Sequence, residues 1–438
     1  MNAQTMTKPQ RRGACPGLSA PMPTGDGLLV RLSPRGTIPP TAFAALCKSA
    51  RRHGNGVIEV TSRGNIQVRG LSEASAPQFA DAIAALDIAA EDGVPVLCNA
   101  LAGLDAEEIF DSTSFAEDLR RRIAESALAA RLSPKVSVVI DGGGAIGVDT
   151  VAADVRLRAE KRYGNVVFGV SVGGDHGRAI GLGRITPMHG VETVLALLGV
   201  IGQRGRDARA RDIVAMQGAT IFRSTIEALL SAHLPESADL ESRLRGNDRN
   251  AGNGTAIGTF PLLDGTLAYG IGLAFGHANA DALERLVEAA GTHGATGLRA
   301  APGRALLAIG LAPDNAPAFV AQAEHLGFIT SPDDPRRNVI ACAGAPICAS
   351  AYIASRALAP AVAAGAAQFA GTIHISGCAK GCAHASAAAL TVVGAPEGCA
   401  LIANGSVRDA PFAVVPANAL PGAIADYVRE HVEEAAHV

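Results

Sequence analysis

Residues 372–382 read TIHISGCAKGC, an apolar run that ends in two cysteines separated by three residues. Residues 339–348 read VIACAGAPIC, a shorter apolar run that carries two cysteines separated by five residues. Because each cysteine pair follows an apolar run and brackets a glycine, the pattern predicts two thiol-bearing loops at the ends of two strands. The four thiols belong to Cys342, Cys348, Cys378 and Cys382.

These four thiols are candidate ligands of a metal centre. Four thiolates are the usual ligand set of a 4Fe-4S cluster, which needs sulfur atoms that converge from different directions. Structural zinc is an alternative, but it usually takes tight C-x2-C knuckles, and the spacing here is wider. Four unliganded thiols are the third interpretation. We expect the four cysteines to hold a 4Fe-4S cluster.

Both cysteine segments have a counterpart earlier in the chain. Residues 94–103, VPVLCNALAG, resemble the first segment, and residues 135–147, KVSVVIDGGGAIG, resemble the second. Glycine stands in the earlier copy where the later copy has cysteine. The repeat therefore predicts that only the later copy binds a cluster.

A second repeat precedes each of these segments. Asp26-Gly27 opens a strand–helix–strand pattern, and Asp264-Gly265 opens the same pattern again. The dipeptide His53-Gly54 matches His293-Gly294 at an offset of 240 residues. Chance similarity between two alanine-rich helices is the alternative. We interpret the chain as two related halves of two modules each, with an α+β architecture rather than a regular βαβ series.

The composition excludes several classes of protein. The 438 residues carry a net charge of -3 and include no Trp and only 4 Tyr, which argues against a nucleic-acid-binding surface. No apolar run reaches the ~18 residues that a membrane span needs. The N-terminal segment lacks the apolar region of a signal peptide. We therefore expect a cytoplasmic protein whose eight cysteines are free, catalytic or metal-bound.

The segment 61–70, TSRGNIQVRG, is the second feature that predicts chemistry. In a strand, alternate side chains share a face, so two guanidiniums and two amides would lie together. Such a face suits a substrate rich in carboxylates. A solvated strand face is an equally good interpretation. The candidate substrate-binding residues are Arg63, Asn65, Gln67 and Arg69.

Gly142, Gly144 and Gly147 match the G-x-G-x-x-G pattern of dinucleotide-binding proteins. That fingerprint must open a helix, whereas the sequence that follows reads as a strand. We therefore reject a nicotinamide site here. The glycines lie opposite the Cys378 loop in the repeat, and we expect them to pack closely around a large ligand.

The pattern C-x5-C followed by C-x3-C, in a duplicated chain with T-x-R-x-x-x-Q, resembles the sulfite and nitrite reductase family. The resemblance covers nearly the whole chain. It implies a siroheme against a 4Fe-4S cluster held by the four cysteines named above. It also places Arg63 on the family's active-site arginine, Gln67 on the following glutamine, and Lys135 on the first lysine of the LPRK segment. On this basis Arg63 and Lys135 are the candidate catalytic residues.

The chain departs from the reductases at three positions. In the reductases, an arginine in a V-R-N-V segment binds the anionic substrate, but Pro95 stands at that position here. Ser137 replaces a second lysine that binds substrate in the sulfite reductases. Ala389 stands where the family has an acidic residue. Because a small anion needs compensating charge, the loss of two cations weakens the reductase interpretation.

A closer resemblance, within the same superfamily, is to the precorrin-3B synthases of aerobic cobalamin biosynthesis. It rests on three segments: residues 15–32 (CPGLSAPMPTGDGLLVRL), 52–71 (RHGNGVIEVTSRGNIQVRGL) and 376–394 (SGCAKGCAHASAAALTVVG). The resemblance implies a monooxygenase that hydroxylates precorrin-3A at C20 with dioxygen and forms a γ-lactone. Precorrin-3A would then take the place of siroheme, and the cationic residues that bind sulfite or nitrite in the reductases would not be needed.

The resemblance also implies cofactors and partners. A second, mononuclear iron would activate dioxygen, although its ligands cannot be chosen from the sequence. NADH is the formal reductant, and it acts either directly or through a partner reductase. The alternatives are a siroheme-dependent sulfite or nitrite reductase and a non-catalytic tetrapyrrole-binding or electron-transfer protein.

The expected domain division follows the duplicated reductase-like fold, in which each half has a ferredoxin-like half-domain and a cluster/tetrapyrrole-type domain. The expected units are a half-domain at 20–85, a reductase-like domain without a cysteine cluster at 90–234, a linker at 235–258, a second half-domain at 259–328 and a 4Fe-4S domain at 335–436.

Overall fold

The structure, a computed structural model, describes residues 16–91, 93–230, 255–384 and 386–436. Within these ranges the strands form four sheets. Most of the expected linker at 235–258 lies outside the described residues, as does Cys15.

The first module is an antiparallel sheet covered by two helices, and its strand order is β1-β2-β4-β3. The prolines at 39 and 40 start its first helix, because a proline in the first turn has no hydrogen bond to lose. Its elements are β1 (Met22–Thr24), β2 (Gly27–Leu32), α1 (Pro40–His53), β3 (Val57–Val60), β4 (Ile66–Leu71) and α2 (Ser75–Ala84).

The second module is a mixed sheet of order β5-β6-β7-β8-β9. Its first three strands are parallel and the last two are antiparallel. Its elements are β5 (Val96–Cys98), α3 (Thr113–Glu125), α4 (Leu128–Arg131), β6 (Val138–Asp141), β7 (Ala153–Arg162), β8 (Asn165–Gly174), β9 (Ile180–Ile185), α5 (Gly190–Gln203), α6 (Ala210–Gln217) and α7 (Thr220–Ile226), with 3-10 turns at Pro187–His189 and Glu227–Leu229.

The third module has the strand order β10-β11-β14-β13, which repeats the order of the first. A short additional strand leaves this module and pairs with β3 of the first, so that Ala278 faces Ile58. The elements are β10 (Gly258–Pro261), β11 (Leu267–Gly272), β12 (His277–Asn279), α8 (Ala280–Thr292), β13 (Gly297–Ala301), β14 (Ala305–Leu311) and α9 (Ala316–His325), with a 3-10 turn at Ala274–Gly276.

The fourth module repeats the second, with strand order β15-β16-β17-β18-β19 and the same strand directions. Its elements are β15 (Val339–Ala341), α10 (Ser355–Gly365), β16 (Ile373–Ser376), β17 (Ala388–Ala395), β18 (Gly398–Gly405), β19 (Ala413–Val415) and α11 (Leu420–Ala436), preceded by a 3-10 turn at Pro335–Asn338.

The matching strand orders confirm the predicted α+β fold and its duplication. The first and third modules share one hydrophobic core, in which Phe43 of α1 and Leu283 and Leu286 of α8 are completely buried. Burial of these apolar side chains fixes the two halves against each other. No helix in the described ranges is long and apolar enough to cross a membrane.

Candidate functional site

The two cysteine loops lie side by side because of the parallel pairing of β15 and β16. Ala341 pairs with Ile375, so both strands end at the same edge of the sheet. The backbone N–H of Cys342 donates to the carbonyl of Ile375 at 3.2 Å. The backbone N–H of Gly377 donates to Sγ of Cys342 at 3.0 Å, which ties the second loop to a thiol of the first.

The thiols of these loops influence one another electrostatically. Burial raises the pKa of Cys378, and the nearby thiols of Cys342 and Cys348 raise it further. Cys382 is exposed, while the other three are partly buried, and none of the four is in a disulfide. The thiols of Cys342, Cys348 and Cys378 are therefore neighbours at this edge of the sheet, and Cys382 is the exposed fourth thiol.

Four thiols on two neighbouring loops match the ligand set of a 4Fe-4S cluster. Tetrahedral zinc–thiolate bonds of about 2.3 Å would place neighbouring sulfur atoms about 3.8 Å apart. In the described part of the chain, no three His, Cys, Asp or Glu side chains are gathered closely enough to hold one ion. A 4Fe-4S cubane separates its four thiolates more widely, because its own iron and sulfide atoms lie between them.

A turn of the first module covers the cysteine loop of the fourth. The backbone N–H of Ala349 donates to the carbonyl of Gly25 at 2.9 Å. A β-carbon at Gly25 would overlap with Sγ of Cys348, so a glycine is required for this approach. The first half of the chain therefore forms one wall of the site whose thiols come from the second half.

The polar strand β4 contributes to a network next to this turn. Arg69 binds both carboxylate oxygens of Asp26, at 2.8 Å from Nε and 2.7 Å from Nη2. Its Nη1 lies 3.5 Å from Oε2 of Glu59. Arg356, in the first turn of α10 after the cysteine loop, donates to Oε1 of Glu59 at 2.7 Å. Glu59 therefore joins arginines from both halves.

Gln67 extends the same network. With its amide nitrogen towards Glu59, it donates to Oε2 at 3.1 Å, and its amide oxygen accepts from Nη2 and Nε of Arg31 at 2.8 and 3.0 Å. Gln67 and Arg69 thus share one face of β4. Three guanidiniums, those of Arg31, Arg69 and Arg356, accompany the carboxylates of Asp26 and Glu59.

The predicted common strand face is wrong for Arg63 and Asn65, because β4 begins at Ile66 and both residues precede it. Arg63 lies in the loop between β3 and β4, where its Nη2 donates to Oγ of Ser137 at 3.2 Å and to the carbonyl of Ala152. Asn65 lies in the same loop and is partly buried. Lys135 is exposed at the start of the segment that leads into β6.

Two histidines lie beside the second cysteine loop. His374 on β16 is completely buried, and neither of its ring nitrogens has a hydrogen-bond partner. Its ring centroid is 5.6 Å from that of His384. Burial, together with the charges of His384 and Arg304, lowers the pKa of His374 to about 4. The imidazole is therefore neutral at physiological pH.

The G-x-G-x-x-G motif of the first half, Gly142 to Gly147, meets one of the two expectations for it. The strand β7 follows it, which agrees with the rejection of a nicotinamide site. The expected packing around a large ligand is wrong. A β-carbon at Gly142 would lie 2.6 Å from Oε1 of Glu108, and one at Gly144 would overlap with Asp105. The chain's own segment 105–110 fills this space.

Sequence reasoning missed Glu59 and Arg356 as members of the site. Glu59 alternates with the buried Ile58 and Val60 on β3, which is the pattern of an outward-facing side chain. Arg356 interrupts an otherwise apolar segment, Ala349 to Ala370. A lone charge within an apolar segment was the available signal, because such a charge needs a partner when it is partly buried.

Comparison with known proteins agrees with this architecture. The family model described as "Nitrite/Sulfite reductase ferredoxin-like half domain" matches residues 20–86. The model described as "Nitrite and sulphite reductase 4Fe-4S domain" matches residues 93–234. The solved structure of the Mycobacterium tuberculosis NirA protein superposes with a TM-score of 0.71 at 19% identity, and covers 92% of this chain and 80% of that chain.

Two curated proteins are similar over most of the chain. A precorrin-3B synthase from Sinorhizobium sp is 36% identical over 421 residues, which are 95% of this chain and 88% of the relative. A ferredoxin–nitrite reductase from Synechococcus elongatus is 24% identical over 394 residues, with 83% of this chain and 75% of the relative covered. With the repeated strand orders and paired cysteine loops, these matches show that the chain belongs to the precorrin-3B synthase family within the nitrite and sulfite reductase superfamily.

Proposed function

We propose that this chain is an oxidoreductase that hydroxylates precorrin-3A at C20 with dioxygen and closes a γ-lactone through the ring A acetate. The observation that carries the proposal is the guanidinium-rich network of β4 and α10 beside the four-thiol loops. A tetrapyrrole with peripheral carboxylates is a ligand that such a network can bind. The similarity to the precorrin-3B synthase supports the same substrate.

The proposed resident cofactor is a 4Fe-4S cluster held by Cys342, Cys348, Cys378 and Cys382. When bound, such a cluster stores and passes single electrons. A mononuclear iron that activates dioxygen is also part of the proposal.

The proposed roles of the chain's own residues are binding and orientation. Arg63, Asn65, Gln67 and Arg69 would contact the macrocycle and its carboxylates, and Lys135 would provide a further cation. Arg63 is oriented by Ser137, the residue that replaces a reductase lysine, at 3.2 Å. A hydroxyl in place of an ammonium group leaves the Arg63 guanidinium beside a neutral neighbour.

The balance of the reaction defines the remaining partners. One oxygen atom of dioxygen forms the new C20–O bond, and two electrons and two protons reduce the other oxygen atom to water. A donor must supply those electrons, with NADH as the formal reductant, either directly or through a reductase. The free thiols are consistent with a reducing cytoplasmic compartment.

The test is anaerobic purification followed by single turnover. The optical spectrum, acid-labile sulfide and extractable tetrapyrrole are measured on one sample. We expect iron–sulfur absorption without siroheme. Addition of precorrin-3A, a reductant and ¹⁸O-labelled dioxygen should then introduce one labelled oxygen atom, read by mass spectrometry.

Two outcomes would overturn this proposal. Stoichiometric siroheme with turnover of sulfite or nitrite would make the chain a reductase, as its similarity to the nitrite reductase allows. Tight tetrapyrrole binding without oxygen incorporation, in protein with a full cluster and an active donor, would indicate a non-catalytic carrier.

A further inference from the structure

Arg304 has an unusual backbone conformation. It lies in the turn between β13 and β14, and its φ is 66°. Left-handed backbone is adopted readily by Gly and tolerated by Asn, but it is unfavourable for a long side chain. Such strain persists where the surrounding structure maintains it, and it is frequent at ligand-binding sites.

The neighbouring backbone makes room for the Arg304 side chain. A β-carbon at Gly276 would lie 2.8 Å from Cδ and 3.2 Å from Nε of Arg304. The Arg304 carbonyl accepts a hydrogen bond from the N–H of Leu273 at 3.1 Å, which fixes the turn against the same segment. The guanidinium is therefore held in one place by packing and not by polar contacts.

The guanidinium of Arg304 has no hydrogen-bond or ion-pair partner among the side chains and carbonyls that the structure describes. Burial lowers the pKa of Arg304, and the charge of Glu59 partly compensates. Glu59, however, is already bound by Arg356 at 2.7 Å and lies 3.5 Å from Arg69. The positive charge of Arg304 is therefore in excess.

The surroundings of Arg304 place it between the two parts of the proposed site. The turn that carries Arg304 lies against the loop of Arg63: the backbone N–H of Gly303 donates to the carbonyl of Ser62 at 3.1 Å, and Pro302 forms a β-bridge with Arg63. The charge of Arg304 also acts on Glu59 of the β4 network and on His374 of β16. The side chains that the structure describes therefore leave this positive charge for an anionic ligand to compensate.

We propose that Arg304 binds a peripheral carboxylate of the tetrapyrrole substrate and thereby contributes to substrate specificity. This inference rests on the proposed function, since it names a second anchor for the same macrocycle. A guanidinium presents a planar fork of donors that matches a carboxylate. The backbone strain at Arg304 keeps that fork opposite the network around Glu59, so that the substrate would be held from both halves.

Because the backbone at Arg304 is strained, replacing this residue should raise the stability of the protein and lower its affinity for the tetrapyrrole. Arg304→Asn places a residue that tolerates left-handed backbone at this position and removes the uncompensated charge. We expect its Tm to rise by about 1–2 °C. Affinity for a carboxylated tetrapyrrole should fall about ten- to hundredfold, as expected for loss of a charge-assisted hydrogen bond.

The control is the same substitution at a second strained position. Tyr163 has a φ of 49° in the hairpin between β7 and β8, and its side chain is 79% exposed. Tyr163→Asn creates the Asn-Gly pair that this type of hairpin turn favours. It should raise Tm similarly without changing affinity. Arg304→Lys, which keeps the charge, should retain part of the affinity.

Binding is measured by fluorescence titration of the cluster-containing protein with sirohydrochlorin, and with its methyl ester as the carboxylate-free probe. We expect wild-type protein to prefer the free acid and Arg304→Asn to lose much of that preference. Equal affinity of the wild-type protein and Arg304→Asn for the free acid would overturn the proposed role of Arg304 and leave the proposed function intact. If the wild-type protein binds neither probe, both the proposed function and the proposed role of Arg304 are overturned.

Discussion

Asp26 accepts two hydrogen bonds from one guanidinium, that of Arg69, at 2.8 Å from Nε and 2.7 Å from Nη2. The side chain of Asp26 is 1% exposed and that of Arg69 is 11% exposed. Burial would raise the pKa of Asp26, but the hydrogen bonds and charge of Arg69 outweigh it and lower the pKa below 3.8. The pair fixes the turn that covers Cys348 to strand β4.

Removal of Asp26 should destabilise the protein strongly. Asp26→Ala leaves the buried guanidinium of Arg69 without its main partner, and we expect a loss of about 3 kcal/mol in the free energy of unfolding. The pKa of Asp26 is lower when folded, so its contribution is present above pH 3.8 and is lost as the pH falls through the folded value. Urea unfolding at pH 7 and pH 3 measures both effects. An equal difference between wild type and variant at the two pH values would contradict this assignment.

Substitution of a cluster thiol should abolish iron binding. Cys378→Ser and Cys342→Ser remove strong thiolate ligands, so we expect loss of the iron–sulfur absorption and of acid-labile sulfide. Cys399→Ser is the matched control, because Cys399 is buried on β18 within the apolar core of the same module. Full iron content in Cys378→Ser, or equal loss in Cys399→Ser, would show that the cluster is held elsewhere.

Gly25 should be essential to the cover over the cysteine loop. In Gly25→Ala the added methyl group would overlap with Sγ of Cys348, so either the turn or the thiol must move. We expect a destabilisation of about 1–3 kcal/mol and faster loss of iron to a chelator. Gly36→Ala is the control, because a β-carbon there meets nothing within 4 Å. Equal rates of iron loss in Gly25→Ala and Gly36→Ala would show that the turn at Gly25 does not protect the cysteine loop.

Arg63 should affect substrate binding more than the cluster. Arg63→Ala removes a guanidinium that donates to Oγ of Ser137 at 3.2 Å and to the carbonyl of Ala152. We expect affinity for a carboxylated tetrapyrrole to fall about tenfold at unchanged iron content. Lys161→Ala, at an exposed position of β7, is the control. Parallel loss of affinity and iron would show that Arg63 has a structural role.

Glu108 should make stability fall as pH rises towards neutrality. Burial raises its pKa from 4.5 to about 7, so the folded protein holds a proton that the unfolded chain releases. Stability is therefore highest below pH 4.5 with respect to this group and is lost as the pH rises to about 7. Glu108→Gln should be more stable than wild type by about 1–2 kcal/mol at pH 8 and similar to it at pH 4.5. Urea midpoints across this range provide the comparison, and parallel curves would be the contrary result.

The sequence predicted the duplication because each repeat keeps its own short-range signals. Strand periodicity, the His-Gly dipeptides and the glycine-rich turns are local, and the structure reproduces them as matching strand orders. The two cysteine loops were also predictable, because apolar runs before Cys342 and Cys378 locate the ends of parallel strands. Gln67 and Arg69 share a face as simple alternation predicts.

Contacts between distant segments could not be predicted in the same way. Glu59 and Arg356 are 297 residues apart, and nothing local relates them. Arg304 follows Pro302-Gly303, which reads as an ordinary turn, and its left-handed conformation is a tertiary property. Segment 105–110 fills the space next to Gly142 and Gly144, which is a tertiary contact that the repeat alone could not indicate.

The strand β12 has a consequence for how the chain is made. It completes the sheet of the first module by pairing with β3, yet it lies more than two hundred residues later in the chain. During synthesis, therefore, the edge of β3 stays unpaired until most of the protein has left the ribosome. An open edge is a template for wrong partners, and pairing over so long a separation is slow. Successful folding thus depends on keeping the nascent first half from associating before its last strand arrives.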